Sequence, residues 1–576
     1  MNTRTLLLLT AALLAPAIAH ARDKPHHARA VSAPTLYDKG MVSAADPRAA
    51  EAGAELLRAG GSATDAAIAT MLALTVVEPQ SSGIGGGGFY LHTDRQGRVE
   101  TIDGRETAPK AAHGKWFWKN GVAMGYREMV PGGTSVGVPG NLALAAKAHA
   151  RRGKLPWARL FRPAIRLARD GWVISPRFQE FLNFARGSAA FTPAGASLFY
   201  DADGRALAAG TQIKNPALAK TMTTLAARGA RAFYTGSNAA AIVSRVTTAP
   251  RNPAPMTLAD VTSYKAKDRA ALCGTYRGYR ICGMGPPSSG QTTVFAVLKQ
   301  LERFDLTALG PDSPVAWHLI AESERLAYAD RAKYLGDGDF VAVPVPGLID
   351  PGYLAQRSEL IDPGKTIALV TAGTPPGARL LARADNPPGP ENGTSHFAAI
   401  DRWGHAVTYT STVESAFGSG LVVGGYFLNN ELTDFDTVPE LDGRPAANRV
   451  EGGKRPRSSM APTLVFSADG TLRLAIGAAG GTTIPAQVAK AIIGVIDWKL
   501  SAEDAIALHT IYAPTGPTVF VEKGTKLEAM IPALVALGHA DVRVRQASFK
   551  GNAVEVVGGK LIGAADRRSE GRAVSE

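Results

Sequence analysis

The sequence contains little cysteine and no long apolar segment. Cys273 and Cys282 are the only cysteines among 576 residues, too few for a disulfide-stabilised miniprotein or a zinc site of the multi-cysteine type. No run of about 18 apolar residues without charges occurs, so no membrane-spanning helix is predicted. Hydrophobic residues make up 45% and charged residues 20% of the chain, which excludes a disordered or fibrous protein. A globular protein with two domains or one large layered core is expected.

Acidic residues are outnumbered by basic ones, 50 to 63, which gives a formal charge of +13. Such a charge suits small anionic substrates, nucleic acid or an anionic membrane surface. The densest basic cluster is Lys454, Arg455 and Arg457, and it is interrupted by Pro456 and lacks interleaved aromatic residues for base stacking. We therefore expect no nucleic-acid partner.

The N-terminus has the pattern of a secretory signal peptide. Arg4 precedes an apolar run over residues 6–14, and small residues follow at Ala19 and Ala21, where cleavage fits. Residues 1–21 are therefore predicted to be removed, and the mature protein is expected to be periplasmic or secreted.

The two cysteines flank a predicted hairpin, CGTYRGYRIC, whose turn lies between Arg277 and Gly278. This pairing places Cys273 opposite Cys282. An oxidising compartment permits a disulfide between them, and two buried free thiols fit the sequence equally well.

The order of predicted elements indicates a layered α/β protein. Helix starts are predicted at Pro47, after the cap Asp46, and after Ser62, which forms a capping box with Asp65. Residues 140–351 are expected to form a mostly helical cap over a sheet.

A Pro- and Gly-rich stretch over residues 371–393 predicts an exposed connection, and the sequence after it is rich in strands. Hairpins are predicted over residues 397–413, 463–477 and 553–565. Helices are predicted over 484–498, 501–508 and 525–537, the last kinked at Pro532. Antiparallel hairpins with helices on their faces favour a layered sandwich.

Residues 83–88 read GIGGGG, but no Lys with Ser or Thr follows and a helix precedes them, so a nucleotide-binding loop is not expected. The alternative is that these glycines let the backbone pass close to another element or to a substrate.

Several motifs carry a resemblance to one family. The stretch TSHFAAIDRWGHAVTYTSTVESAFGSG begins at Thr394, and further motifs are NNELTDF (429–435), RPRSSMAPT (455–463), AAGGTT (478–483), GRETAP (104–109), SSGIGGGGF (81–89) and GPPSSGQ (285–291). With these motifs the chain resembles the γ-glutamyltransferases, also called glutathione hydrolases, over nearly its entire mature length.

The resemblance implies an α+β fold, the four-layer αββα sandwich of N-terminal nucleophile hydrolases. A precursor of this kind cleaves itself between Gly393 and Thr394 into a large subunit, residues 22–393, and a small catalytic subunit, residues 394–576, which together form the sandwich. The heterodimer would cleave γ-glutamyl amides such as glutathione and transfer the acyl group to water or to amino acid and peptide amines. The resemblance implies no cofactor and no metal.

The resemblance also assigns the site residues. Thr394 would be the nucleophile, and its freed α-amine, with an ordinary pKa of about 7.7 to 8.0, the base. Thr412 would hydrogen-bond the nucleophile, and the backbone N–H groups of Gly480 and Gly481 would hold the oxyanion. The substrate carboxylate would meet Arg105, Ser458 and Ser459, and its ammonium would meet Glu414, Glu431 and Asp434. We expect His396 to be structural, because the amine already supplies the base.

Two departures bear on specificity. Glu414 stands where many family members have Asn, and residues 436–454, a lid loop in several relatives, contain no aromatic residue. The lid departure indicates a more open pocket in which hydrolysis outweighs transfer. The alternatives are a cephalosporin or glutaryl acylase of the same fold, a poly-γ-glutamate depolymerase and a non-catalytic secreted binding protein.

Overall fold

The computed structural model describes residues 36–379, 381, 393–546 and 550–576. Within these ranges the strands form a seven-stranded and a six-stranded antiparallel sheet. In chain order their strands are β1 (Met41–Ala44), β2 (Gly87–Thr93), β3 (Val99–Gly104), β4 (Lys267–Arg269), β5 (Ala271–Tyr276), β6 (Tyr279–Met284), β7 (Gly393–Ile400), β8 (Ala406–Glu414), β9 (Thr463–Phe466), β10 (Leu472–Ala479), β11 (Lys550–Val557), β12 (Lys560–Ala565) and β13 (Arg572–Ser575).

The two sheets lie face to face. The first has the order β13-β1-β7-β8-β2-β3-β4 and the second β12-β11-β10-β9-β6-β5. Side chains alternate along β7, so Ala398 and Ile400 pack into the core between the sheets while Phe397 and Ala399 face the other way, toward a helical layer. The strand that begins at Gly393 is therefore buried on both faces.

Helices cover the outer face of each sheet, which completes the expected αββα sandwich. The layer helices are α1 (Pro47–Arg58), α2 (Ala63–Val77), α3 (Gly290–Leu301), α4 (Pro314–Tyr334), α5 (Ile484–Ile496) and α6 (Ala502–Ala507). The predicted caps are present: Asp46 accepts a hydrogen bond from the Arg48 N–H, and Ser62 and Asp65 form a capping box. Every residue of α2 is buried, because this helix lies under β7 and β8.

Shorter elements surround this frame. The other α-helices are Tyr126–Met129, Asn141–Arg152, Trp157–Leu160, Arg162–Asp170, Pro176–Phe184, Arg186–Ala189, Pro193–Phe199, Pro216–Arg228, Arg231–Tyr234, Gly236–Thr247, Leu258–Thr262, Leu306–Leu309, Val345–Leu348, Pro351–Glu359, Lys526–Ala529 and Ile531–Ala536, and the 3₁₀ helices are Gly133–Ser135, Glu431–Asp434 and Gly481–Thr483. Short strands are Trp118–Lys119, Val122–Ala123, Trp172–Val173, Gln212–Ile213, Val422–Val423, Tyr426–Phe427, Glu440–Leu441, Arg444–Pro445, Ile511–Tyr512, Thr518–Glu522 and Asp541–Arg545.

Most predicted elements are confirmed, with two corrections. The predicted helix 525–537 is two helices that meet at Met530, because Pro532 stands in the first turn of the second, where its missing N–H costs nothing. The region 140–351 is not only a helical cap, since it supplies β4 to β6 and two layer helices. In the β5–β6 hairpin, Arg277 and Gly278 both have positive φ, and the structure joins Cys273 to Cys282 in a disulfide.

Residues 35–576 form one compact unit rather than two domains. The predicted signal peptide and most of the Pro- and Gly-rich connection, including Asn392, lie outside the described residues. Among the residues that are described, no helix is long and apolar enough to span a bilayer.

Candidate active site

The candidate site lies where β7 begins and β8 ends. Thr394 is opposite Thr412 and Gly393 is opposite Glu414, so Val413 forms a bulge in β8. The bulge releases the Val413 backbone from the ladder, and its N–H donates to the Ser81 carbonyl at 3.1 Å while its carbonyl accepts from the N–H of Asn430, also at 3.1 Å. This irregularity sets Thr412, and not Val413, opposite Thr394.

The two threonine hydroxyls form a directed hydrogen-bond chain. The Thr412 hydroxyl donates to the Gly393 carbonyl at 2.8 Å, and its oxygen accepts from the Glu414 N–H at 2.8 Å. The oxygens Oγ1 of Thr394 and Thr412 lie 3.0 Å apart. Because Thr412 has one proton, already given to Gly393, the Thr394 hydroxyl must donate to Thr412. The chain therefore links the Thr394 hydroxyl to the carbonyl of the peptide bond that precedes it.

Close packing explains why residue 393 is a glycine. A Cβ at this position would lie 2.4 Å from the Ser415 carbonyl oxygen and 2.5 Å from that of Glu414. Glu414 itself has φ of +78°, a conformation that is costly for a side chain of this kind. Gly86 is equally constrained, since its Cβ would lie 1.9 Å from the Thr412 carbonyl oxygen. The GIGGGG segment thus packs against the backbone of β8, as the second interpretation of its sequence required.

A small cavity in front of Thr394 is lined by most of the predicted site residues. These are Arg105, Thr394, Thr412, Glu414, Glu431, Asp434, Ser458, Ser459 and Gly481, together with Met460 and Ile484. Its free volume is about 20 Å³, room for about one water molecule. The protein's own side chains therefore fill the space.

The guanidinium of Arg105 is already paired with acidic residues of the protein and is not free to bind a substrate carboxylate. Its Nη1 donates to Glu431 and its Nη2 to Asp434, while Nε donates to the Pro456 carbonyl at 3.1 Å. Burial raises the pKa of Glu431 to about 7, against the opposing effect of the Arg105 charge. Glu431 and Asp434, which were predicted to bind the substrate ammonium, are thus paired with Arg105, which was predicted to bind the substrate carboxylate.

The third predicted ammonium ligand, Glu414, is held by two residues that sequence reasoning missed. The Tyr126 hydroxyl donates to Glu414 Oε2 at 2.9 Å, and the Asn430 amide donates to the same oxygen. Asn430 is contained in the motif NNELTDF, in which only Glu431 and Asp434 were predicted as site residues. Tyr126 stands in a four-residue helix without a recognisable motif, so no sequence signal pointed to it.

Glu106 and the pair Glu78–Lys550 were also missed. Glu106 is fully buried beside Arg105, and burial together with the Glu431 charge raises its pKa well above the usual value. Next to Thr394 in the chain, the Ser395 hydroxyl donates to Glu78, whose carboxylate lies 3.3 Å from Lys550 Nζ. The pair Glu78–Lys550 was missed because its two residues are remote in sequence, and Glu106 was missed although it lies in the motif GRETAP, in which only Arg105 was predicted as a site residue.

Of the remaining predicted residues, Gly480 adjoins the cavity-lining Gly481, whereas His396 does not line the cavity. Gly480 and Gly481 have φ of +131° and +57° and begin the 3₁₀ turn that leads into α5, so the positive end of the α5 dipole faces this region. His396 is buried, and its Nδ1 and Nε2 contact the hydroxyls of Thr410 and Thr408 at 2.8 and 3.2 Å, while burial lowers its pKa to about 3. A neutral imidazole in this position is a core residue of the sheet.

The basic cluster at Lys454, Arg455 and Arg457 is buried, and each cation has an acidic partner. No exposed basic surface arises from it. The absence of a nucleic-acid partner remains a prediction.

One group of potential metal ligands occurs among the described residues, away from the cavity. His318 Nδ1 and His539 Nε2 lie 2.8 Å apart, and Glu322 lies 3.9 Å from the other nitrogen of His539. Arg325 and Thr366 already donate to Glu322. With its carboxylate paired and its histidines bonded to each other, this group forms a hydrogen-bonded network.

Comparison with known proteins gives consistent similarities. The sequence profile of the family described as Gamma-glutamyltranspeptidase matches residues 49–575. The chain is 36% identical over 540 residues to the glutathione hydrolase proenzyme of Bacillus subtilis (strain 168), covering 89% of each protein. It is 34% identical over 547 residues to the glutathione hydrolase proenzyme of Escherichia coli (strain K12), covering 93% of this chain and 91% of that one. The structure is similar to that of a cephalosporin acylase from Bacillus halodurans, with a TM-score of 0.79, 25% identity and coverage of 97% and 99% of the two chains.

Proposed function

The chain belongs to the γ-glutamyltranspeptidase family, and from this premise we propose that it is a self-processing threonine enzyme that cleaves γ-glutamyl amides, glutathione among them. The acyl group passes through Thr394 to water or to an amine. The observation that carries the proposal is the hydrogen-bond chain from the Thr394 hydroxyl through Thr412 to the Gly393 carbonyl.

In the first reaction the precursor cuts itself. The Thr394 hydroxyl oxygen attacks the Gly393 carbonyl carbon, and the oxyanion that forms on that carbonyl is stabilised by the Thr412 hydroxyl. The proton lost by the Thr394 hydroxyl is transferred to the Thr394 nitrogen as the C–N bond breaks, which leaves an ester on Thr394 Oγ1 and a free α-amine. Water hydrolyses the ester to a carboxylate at Gly393 and regenerates the hydroxyl. Before this step the Thr394 nitrogen is an amide and cannot act as a base.

The two pieces, residues 22–393 and 394–576, stay together because each sheet contains strands of both pieces. Strand β1 of the large piece pairs with β7 and β13 of the small piece, β2 pairs with β8, and β6 pairs with β9. A cut between Gly393 and Thr394, the first two residues of β7, leaves all of these ladders intact, which supports a heterodimer from one precursor.

In the second reaction the freed amine takes the Thr394 proton while the hydroxyl oxygen attacks the γ-carbonyl of the donor. Backbone N–H groups of Gly480 and Gly481, which precede α5, receive the oxyanion. The amine product of the donor leaves with a proton, and water or an acceptor amine then attacks the γ-glutamyl ester on Thr394. The acceptor amine is that of a small molecule, an amino acid or a peptide.

Recognition of the donor rests on an exchange of charges. An α-amino acid head carries one carboxylate and one ammonium, so it can enter the Arg105–Glu431–Asp434 cluster without changing the net charge. The substrate carboxylate replaces Glu431 and Asp434 as the partner of Arg105, with Ser458 and Ser459 as further hydrogen-bond donors. The substrate ammonium then pairs with the released carboxylates and with Glu414. This favours a γ-glutamyl donor over the acylase alternative, since a glutaryl group has no ammonium and leaves buried carboxylates without a cation.

Donor selectivity tests this proposal. An unpaired buried charge costs about 3 kcal/mol, so we expect kcat/KM for a γ-glutamyl anilide to exceed that for a glutaryl anilide by at least about 100-fold. Release of aniline from both compounds is measured with the mature enzyme. Faster turnover of the glutaryl anilide would favour the acylase function, and an uncut chain without activity on either would favour the binding protein.

The pH dependence tests the role of Glu431. Burial raises its pKa to about 7, so it loses the charge that binds the ammonium as the pH falls through that value. The Thr394 amine is protonated over a similar range, so log(kcat/KM) should approach a slope of about 2 per pH unit in acid. In Glu431→Gln the slope should fall to about 1, whatever the absolute rate. An unchanged slope in this variant would remove Glu431 from donor binding.

The N-terminal pattern supports export of the enzyme with residues 1–21 removed. The Cys273–Cys282 disulfide is compatible with an oxidising compartment. We therefore place the mature enzyme outside the cytoplasm, as a periplasmic or secreted protein.

A further inference from the structure

A buried arginine that the proposed mechanism does not use lies behind the serine wall of the cavity. Arg331, in the last turn of α4, is 9% exposed. Its Nε donates to the Ser289 hydroxyl at 2.8 Å and its Nη2 donates to the Ser459 hydroxyl at 2.7 Å. Among the residues that the structure describes, no carboxylate forms an ion pair with Arg331. Asp436, whose pKa is raised by burial against the opposing charges of Arg457 and Arg331, is paired with Arg457.

The direction of these hydrogen bonds fixes the polarity of the serine wall. A guanidinium only donates, so Ser459 Oγ accepts from Arg331 and keeps its own proton for another acceptor. Ser289 Oγ also accepts a hydrogen bond from Arg331, and its hydroxyl donates to the Ser458 carbonyl at 2.6 Å. The Ser289 N–H donates to the same carbonyl at 2.7 Å. Arg331 thus holds the Ser458–Ser459 backbone through Ser289 and leaves the Ser459 hydroxyl as a donor at the cavity.

The charge of Arg331 matters because Arg105, the cation that lines the cavity, is already neutralised. Arg105 is paired with both Glu431 and Asp434. Apart from Arg105, the charged groups that line the cavity are acids, and these oppose the entry of a carboxylate. A buried cation one hydroxyl away from the cavity offsets this repulsion.

We propose that Arg331 is a positioning residue of the donor-carboxylate subsite. It acts through Ser459, whose hydroxyl it turns toward the substrate, and through Ser289, which anchors the Ser458–Ser459 segment. The inference rests on the proposed γ-glutamyl activity and adds a specificity-determining residue to it.

The test compares two donors that differ only in the α-carboxylate, a γ-glutamyl anilide and a 4-aminobutyryl anilide, the second as substrate or as competitive inhibitor. In Arg331→Met we expect KM for the γ-glutamyl anilide to rise about 10-fold or more, with a smaller change in kcat, and binding of the 4-aminobutyryl compound to change little. Arg331→Lys and Ser289→Ala should give smaller selective losses. The control is Arg357→Met, which removes another buried arginine that bonds to backbone carbonyls outside the cavity and should leave the ratio of the two donors unchanged.

A double-mutant cycle with Ser459→Ala separates positioning from packing. If Arg331 acts through Ser459, the second substitution adds little to the KM of Arg331→Met. Equal losses on both donors, or full additivity with Ser459→Ala, would overturn the proposal. If Arg331→Met fails to mature, Arg331→Lys takes its place in the cycle with the same two criteria. Wild-type turnover of the γ-glutamyl anilide tests the proposed function by itself, so its failure is distinct from a failure of this inference.

Discussion

Thr394→Ala is expected to remain one uncut chain and to release no aniline from a γ-glutamyl anilide above background. The substitution removes the hydroxyl that attacks Gly393, and it therefore also prevents release of the α-amine that serves as base. Loss of a covalent nucleophile in a unit of this kind lowers kcat by about 10⁴-fold or more. A denaturing gel and an anilide assay on the same preparation measure both effects.

Thr394→Ser is the matched control, because serine keeps the hydroxyl and loses only a methyl group. It should still cut itself and retain activity, at a reduced rate. An alanine variant that is cut at the same bond, or that turns over the anilide, would refute the role of Thr394.

Thr412→Ala is expected to slow self-cleavage by about 10² to 10³-fold, the usual cost of losing one oxyanion donor. Its hydroxyl donates to the Gly393 carbonyl and accepts from the Thr394 hydroxyl, so the substitution affects both partners of the first reaction. The fraction of uncut chain after expression and its decay during incubation are measured by intact mass.

Thr412→Ser preserves this hydroxyl and should mature nearly as the wild type does. If Thr412→Ala matures at the wild-type rate, the hydrogen bond to Gly393 has no part in cleavage. Slow maturation in both variants would instead indicate a packing role for the threonine methyl group.

Local sequence signals predicted the elements that surround the site. The caps at Asp46 and Ser62 and the turn at Arg277–Gly278 depend on neighbours within a few residues, so they are readable from the chain itself. The break at Met530 escaped because Pro532 suits a first helical turn as well as a kink.

Sequence motifs predicted which residues line the site but not how these residues contact one another. The resemblance named the residues that line the cavity, whereas their contacts depend on tertiary packing. Nothing in the sequence indicated that Arg105 pairs with Glu431 and Asp434, or that Tyr126 holds Glu414. The Val413 bulge, which sets Thr394 opposite Thr412, likewise has no sequence signature.

Cleavage before Thr394 should convert an inactive precursor into the active enzyme, and a maturation time course measures both events on the same protein. Freshly produced precursor is sampled at intervals, and each sample is divided between intact-mass analysis and the γ-glutamyl anilide assay. We expect one fragment that ends at Gly393 and one that begins at Thr394, with activity proportional to the fraction of chain that has been cut. Turnover by chain that is still uncut, or activity that is complete before cleavage, would contradict it.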